Sequence, residues 1–257
     1  MKAFLREQWW LLQLSISFFS RMPVSKSIPF TNERMKQSHR YFPVVGLIIA
    51  AFSIAAWSLA AHVLPNDVAI CLFIIAGMLC TGALHEDGLA DMADGLGGGN
   101  TVEMRLSIMK DSRIGSYGAA TLVLLLLTKY TLLTHLSESL SGFTLSVVLA
   151  FSISRLFALS IMWSLPYVSA ASASKSQNVV DNAVSPTIYF YLAYLIIFSF
   201  LTSFSFILLL CLILVVIRQA FISWFNARLG GYTGDCLGAV QQVNELVILS
   251  IVLAWGM

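Results

Sequence analysis

A chain of 257 residues with 58% hydrophobic and 11% charged side chains, and a mean hydropathy of +0.83, would expose too much apolar surface as a water-soluble globule. It reads as a single all-α integral membrane domain over residues 1–257, and its net charge of +2 is too small to point to nucleic acid. Four cysteines without CxxC spacing, lying mostly in apolar runs, argue against a zinc site or a disulfide framework and read as small buried hydrophobes.

From the N-terminus, Met1 to Ser20 lacks a cleavable signal pattern, because Arg6 and Glu7 interrupt it and no small-residue cleavage site follows. Leu5, Trp9, Leu12, Ile16 and Phe19 recur at helical spacing, which predicts a helix lying in the membrane interface. Spanning a bilayer takes roughly 20 apolar residues. Such runs fall at about 41–64, 68–84, 117–136, 142–165, 187–202, 204–222 and 236–255, predicting about seven transmembrane helices, with a tight hairpin at Thr202, Ser203 and Ser205. Arg21, Lys26, Arg34, Lys36, Arg40, Arg105, Lys110, Arg113, Lys175, Arg218 and Arg228 fall on one side of this arrangement. The loops near Pro65, Ser137 and Thr202 contain no Lys or Arg, so the basic side is expected in the cytoplasm. No internal repeat, low-complexity tract, interdomain linker or readable oligomerisation signal is present.

Between the second and third runs lies a polar stretch, His85 to Gly118, that carries most of the acidic chemistry. Asp87, Asp91 and Asp94 are spaced i, i+4 and i+7, so a helix would put their carboxylates on one face, where mutual repulsion calls for a cation. Hard oxygen ligands of this kind suit Mg²⁺ or Mn²⁺. A merely solvated acidic loop is the plainer alternative, opposed by the spacing and by the apolar helix that ends at Leu84. His85 reads equally as a ligand, a proton carrier or an ordinary interfacial residue. Lys110 and Arg113, with Ser112, Gly115, Ser116 and Gly118, precede the helix beginning near Tyr117. Cations and helix N-terminal amides there would together suit an anion such as phosphate. The first expectation is therefore metal-assisted phosphoryl chemistry.

A second glycine-rich segment, with Gly230, Gly231, Thr233, Gly234, Asp235 and Gly238, lies on the same side before the last helix and is expected to close the pocket. An ordinary turn would leave the same signature. Lys129, Arg155 and Glu245 fall inside predicted spans, all roughly 15–18 Å from the cytoplasmic ends at 1.5 Å per residue. Isolated charges at that depth are costly, so Glu245 is expected to pair with Arg155 or Lys129 and to floor a cavity open to the cytoplasm.

These residues resemble the cobalamin synthases, the adenosylcobinamide-GDP ribazoletransferases of bacterial and archaeal cytoplasmic membranes, almost end to end. The matching pieces are FFSRMPV at Phe18–Val24, YFPVVG at Tyr41–Gly46, HEDGLADMADG at His85–Gly95, IMKDSRIGSYG at Ile108–Gly118, Ser154 with Arg155, and GGYTGDCLGA at Gly230–Ala239. Glu86 departs from the apolar residue expected at its place. The resemblance implies a late step of cobalamin biosynthesis in which a hydroxyl of α-ribazole, or of its 5′-phosphate, attacks the phosphorus on the corrinoid's aminopropanol arm and GMP leaves. It implies Mg²⁺ held by Asp87, Asp91, Asp94 and Asp235, with Lys110 and Arg113 stabilising the departing GMP. Gly115, Gly231, Thr233 and Gly234 would then line the nucleotide, and Asp111 or Asp94 would accept the hydroxyl proton. Tyr41, Trp163 and Tyr232 either stack on a large ring or anchor helices at headgroup level.

Two other readings compete. Asp91, Met92, Ala93, Asp94 and Gly95 match the opening D-x-x-D-G of the CDP-alcohol phosphotransferases, but no Ala-Arg and no second aspartate pair follow. A secondary transporter would use Lys129, Arg155 and Glu245 as its substrate path, yet the chain shows no paired broken helices in two halves.

Overall fold

The computed structural model describes residues 2–168 and 184–256, together with the side chains of 2–168 and 188–256. Lys175, which the charge pattern assigns to the basic side, lies outside the described residues. Among the described residues the chain is helical, with no strand. An amphipathic helix, α1 (Lys2–Phe19), is followed by a short α2 (Asn32–Ser38) capped by the Thr31 hydroxyl. Next come α3 (Phe42–Ala61), α4 (Asn66–Thr81), α5 (Leu84–Gly98), α6 (Val102–Ile108) and α7 (Ser116–Leu136). The chain then continues through α8 (Leu140–Ser160), α9 (Val184–Leu201), α10 (Phe204–Leu229) and α11 (Gly234–Trp255).

Each of the seven apolar runs is helical, and the hairpin after the fifth falls at Thr202 and Ser203, where the Ser203 hydroxyl caps α10. Among the described residues five helical segments are long and apolar enough to span a bilayer, or six if α4 and α5 count as one broken span, and the apolar part of α9, Ile188–Leu201, is shorter. α1 is not among them. It lies against α2 and the start of α3, tied by the Arg34–Glu7 ion pair at 2.7 Å, with Leu5 and Trp9 exposed on its outer face.

Burial ranks the helices. In α8, 83% of the apolar window is inside the fold, against 22% in α7 and 28% in α10, so α8 is the central helix around which α3, α11 and their neighbours pack. Pro65 starts α4, and its other end stops at two successive left-handed residues, Gly82 (φ 67°) and Ala83 (φ 57°). Glycine adopts that conformation freely, whereas alanine does so at a steric cost. The chain bends by 85° there, between α4 and α5. α5 is not among the five single-helix spans, and it packs against α11 and α7.

Candidate active site

α5 and α11 touch backbone to backbone where both lack a side chain. A Cβ on Gly88 would lie 2.9 Å from the Asp235 Cα, and one on Gly238 would lie 3.2 Å from the Cα and carbonyl oxygen of His85. That close approach places Asp235, on the first turn of α11, beside the acidic face of α5. Asp87 is exposed and Asp91 and Asp235 are partly buried. Burial, followed by the charges of Asp87, Asp235 and Asp94, pushes the Asp91 carboxyl up to about 7. The cluster is thus short of positive charge, and its donors are hard oxygens, which suits a divalent cation. Among the described residues no three His, Cys, Asp or Glu side chains close around an ion by themselves.

Asp94 has another engagement. It is 7% exposed, and its two oxygens accept from the Gly115 and Gly118 amides at 2.7 and 2.8 Å. A carboxylate reaching across from α5 thereby caps the N-terminus of α7, where the helix dipole favours an anion. A Cβ on Gly115 or Gly118 would collide with it. The anion expected at this helix start is consequently the protein's own Asp94.

The loop between α6 and α7 brings out a second departure. Arg113 holds Asp111 with two short bonds, Nη2 to Oδ2 at 2.6 Å and Nε to Oδ1 at 3.0 Å, and these bonds keep the Asp111 carboxyl down to about 2. So acidic a carboxyl is a poor proton acceptor near neutral pH. The Arg113 side chain remains 87% exposed, and Lys110 is exposed as well, so both cations stay accessible to a ligand. Arg105, which entered the sequence reading only as a topological charge, is buried and binds the carbonyl oxygens of Gly99 and Arg228, tying this loop to the end of α10.

In the second glycine-rich segment, Thr233 caps α11 by accepting from the Cys236 amide, and Tyr232 exchanges backbone bonds with Pro166 and Val168. Gly231 sits against the Pro166 carbonyl, and with Thr233 it shapes this turn. Gly234 stays open, with nothing within 4 Å of an added Cβ. Next to Gly234 and Asp235 lies a largely apolar cavity of about 400 Å³ between the starts of α5 and α11 and the end of α8. Of the three aromatics considered for ring stacking, Tyr232 lines this cavity; Trp163 stacks on Tyr191 and Tyr41 meets Phe190 edge-on.

Inside the bundle, the deep charges meet as expected and take in a fourth. Glu245 lies 2.8 Å from Lys129 and 3.7 Å from Arg155, and Glu86 lies 3.9 Å from Lys129. Gln242 bridges the set, accepting from Lys129 at 2.7 Å and donating to Glu86 at 3.0 Å, while Gln241 donates to Glu245 at 2.6 Å. Two cations face two carboxylates. They surround a cavity of about 20 Å³, room for about one water and not the open floor the sequence suggested. Glu86, unexpected in its place, is thus the counter-charge that completes this set. The sequence signal that would have revealed the partners is the Gln241-Gln242 pair within an otherwise apolar run.

The family model described as Cobalamin-5-phosphate synthase matches residues 11–253. Curated relatives called adenosylcobinamide-GDP ribazoletransferase are similar over nearly their whole length. One from Vibrio cholerae serotype O1 is 45% identical over 99% of this chain and 97% of its own. Another from Vibrio vulnificus is 46% identical over 96% of both, and one from Shewanella piezotolerans is 43% identical over 98% and 97%. No solved structure matches.

Proposed function

Because the chain belongs to the Cobalamin-5-phosphate synthase family, we propose that it is a membrane adenosylcobinamide-GDP ribazoletransferase whose active centre is the α5–α11 carboxylate cluster. It joins adenosylcobinamide-GDP to α-ribazole, or to its 5′-phosphate, late in cobalamin biosynthesis. A ribose hydroxyl attacks the phosphorus on the aminopropanol arm, the bond from that phosphorus to the bridging oxygen breaks, and GMP departs. The observation that carries this reading is the convergence of Asp87, Asp91 and Asp235 beside a ligand-sized cavity, at the end of the bundle that holds the exposed Lys110 and Arg113. Such a displacement depends on charge neutralisation and in-line alignment more than on covalent help.

Mg²⁺, when bound, would supply part of that neutralisation. Asp87, Asp91 and Asp235 would hold it, and Lys110 and Arg113 would meet the leaving GMP. Asp94, at the edge of this set, would accept the hydroxyl proton. The cytoplasmic side is supported by the positive-inside pattern, since Arg34, Lys36, Arg40, Arg105, Lys110, Arg113 and Arg228 lie at this end and the opposite connections carry no Lys or Arg. The transporter reading loses its main support, because Lys129, Arg155 and Glu245 neutralise one another within the core.

Purified protein in detergent, with no sealed compartment, is expected to release GMP from adenosylcobinamide-GDP only when α-ribazole and Mg²⁺ are both added. Release that persists after rigorous chelation would remove the metal from this proposal, and substrate uptake without GMP would replace the enzyme with a carrier. Arg113→Ala should raise KM for adenosylcobinamide-GDP about tenfold, the scale of one lost charge-assisted hydrogen bond, with little change for α-ribazole. Equal effects on the two KM values would argue against an Arg113–diphosphate contact.

A further inference from the structure

Two carboxylates of α5 engage its neighbours and bracket the acidic face. Toward the end of the helix, Asp94 accepts from the Gly115 and Gly118 amides of α7. At its start Glu86, 6% exposed, turns inward, where its Oε1 accepts from the Gln242 side chain of α11 at 3.0 Å and lies 3.9 Å from the Lys129 ammonium of α7. Lys129 in turn donates to Gln242 at 2.7 Å and meets Glu245 of α11 at 2.8 Å. One ammonium thus joins three helices. α5 carries Asp87 and Asp91, α11 carries Asp235, and α7 begins just after the loop with Lys110 and Arg113.

The placement of Glu86 matters because it directly precedes Asp87. A step of one residue is about 100° around a helix, so a small rotation of α5 about the Glu86 anchor swings the whole acidic face. Glu86 and Asp94 stand about 12 Å apart along the axis, with Asp87 and Asp91 between them. Leu89, Met92 and Leu96 bury the apolar side of α5, and apolar contact has no preferred direction, whereas a hydrogen bond to a carboxylate does. The first turn of α5 has no side-chain cap, and among the described residues Glu86 makes its one side-chain hydrogen bond.

Resting on the function proposed above, we infer that Glu86 is a positioning residue. Acting through Gln242 and Lys129, it holds α5 so that Asp87 and Asp91 face Asp235 across the contact with α11. Its own carboxylate is too deeply buried to meet a substrate.

The test uses the full-length protein in detergent and reads three quantities: kcat for GMP release, the two KM values, and the rise in melting temperature produced by Mg²⁺ alone. Glu86→Leu should lower kcat and the Mg²⁺ affinity read from that rise by about tenfold or more, the scale for removing a group that orients metal-holding carboxylates, with both KM values within about twofold. Glu86→Gln should recover most of both losses, because it keeps an acceptor for Gln242 at similar volume. Gln242→Leu, which cuts the same link from α11, should reproduce the Glu86→Leu losses, and the double variant should add little to either. If Glu86→Leu does not fold, Gln242→Leu decides by the same measurements. A lower melting temperature with wild-type kcat and a wild-type response to Mg²⁺ would mean a structural role only and overturns the inference. An effect confined to one KM overturns it too, by making Glu86 a substrate contact, and losses that add in the double variant overturn the route through Gln242. In each of those cases the wild type still releases GMP, so the proposed function stands. A wild type that releases no GMP removes the enzyme reading and this inference with it.

Discussion

Asp91→Asn is expected to lower turnover by about 100- to 1,000-fold, the scale of losing one pre-organised electrostatic group, while leaving the inserted protein as stable as before or more so. The expectation comes from the strain that this carboxylate bears. Burial and then the neighbouring Asp87, Asp235 and Asp94 push it up to about 7, so ionising it costs the folded state free energy. A carboxyl raised above its unfolded value favours folding at low pH, and that contribution is lost as pH climbs from the ordinary carboxylate range through about 7. Without added metal, the melting temperature of the wild type should therefore fall over that interval, and Asp91→Asn should flatten the fall. Added Mg²⁺ should restore stability to the wild type above pH 7 and do little for the variant. The companion substitution Asp94→Asn should behave differently, reducing activity and stability together, because it weakens the carboxylate that accepts from Gly115 and Gly118. If Asp91→Asn kept full turnover, the carboxylate cluster would not be the centre of the chemistry.

Glu245→Gln should cost about 3–5 kcal/mol of stability, because it strips the nearest counter-charge from two buried cations at once. Lys129 would retain Glu86 at 3.9 Å and the Gln242 oxygen at 2.7 Å, while Arg155 would keep the Phe151 carbonyl, the faces of Phe42 and Phe151 and the more distant charge of Glu86. Glu86→Gln should be the milder change, since its ion pair is longer and the Gln242 bond can persist. Thermal unfolding in one detergent, read for both variants beside the wild type, checks the order. A melting temperature for Glu245→Gln equal to that of the wild type would show that the deep charges do not hold the bundle together.

Several features were legible along the chain because they depend on near neighbours or on each residue's own transfer into lipid. The apolar runs became helices, the Thr202–Ser203 hairpin fell in its place, and burying Lys129, Arg155 and Glu245 singly would have been too costly, which foretold their meeting. The length of true crossings was harder to read. The α4 run stops at Gly82 and Ala83, where two left-handed residues turn the chain, and hydropathy carries no record of φ.

The site shows the same division. Spacing along α5 put Asp87, Asp91 and Asp94 on one helix, but it could not show that Asp94 would be drawn off to cap α7 or that Asp111 would be held by Arg113. Both engagements turn on which backbone amide or guanidinium lies within about 3 Å, a distance set by packing and by the course of the loop. What the sequence determined by itself is the membrane solvent, the helices and the kinds of chemistry available, since hydropathy and helical period act residue by residue. Only the tertiary structure decided that Gly88 and Gly238 would let α5 and α11 meet closely enough to add Asp235 to the acidic face, and that Glu86 would turn inward to Lys129. Each of those depends on atoms far apart in the chain reaching contact distance, and contact is a property of pairs of helices that no single stretch of residues encodes.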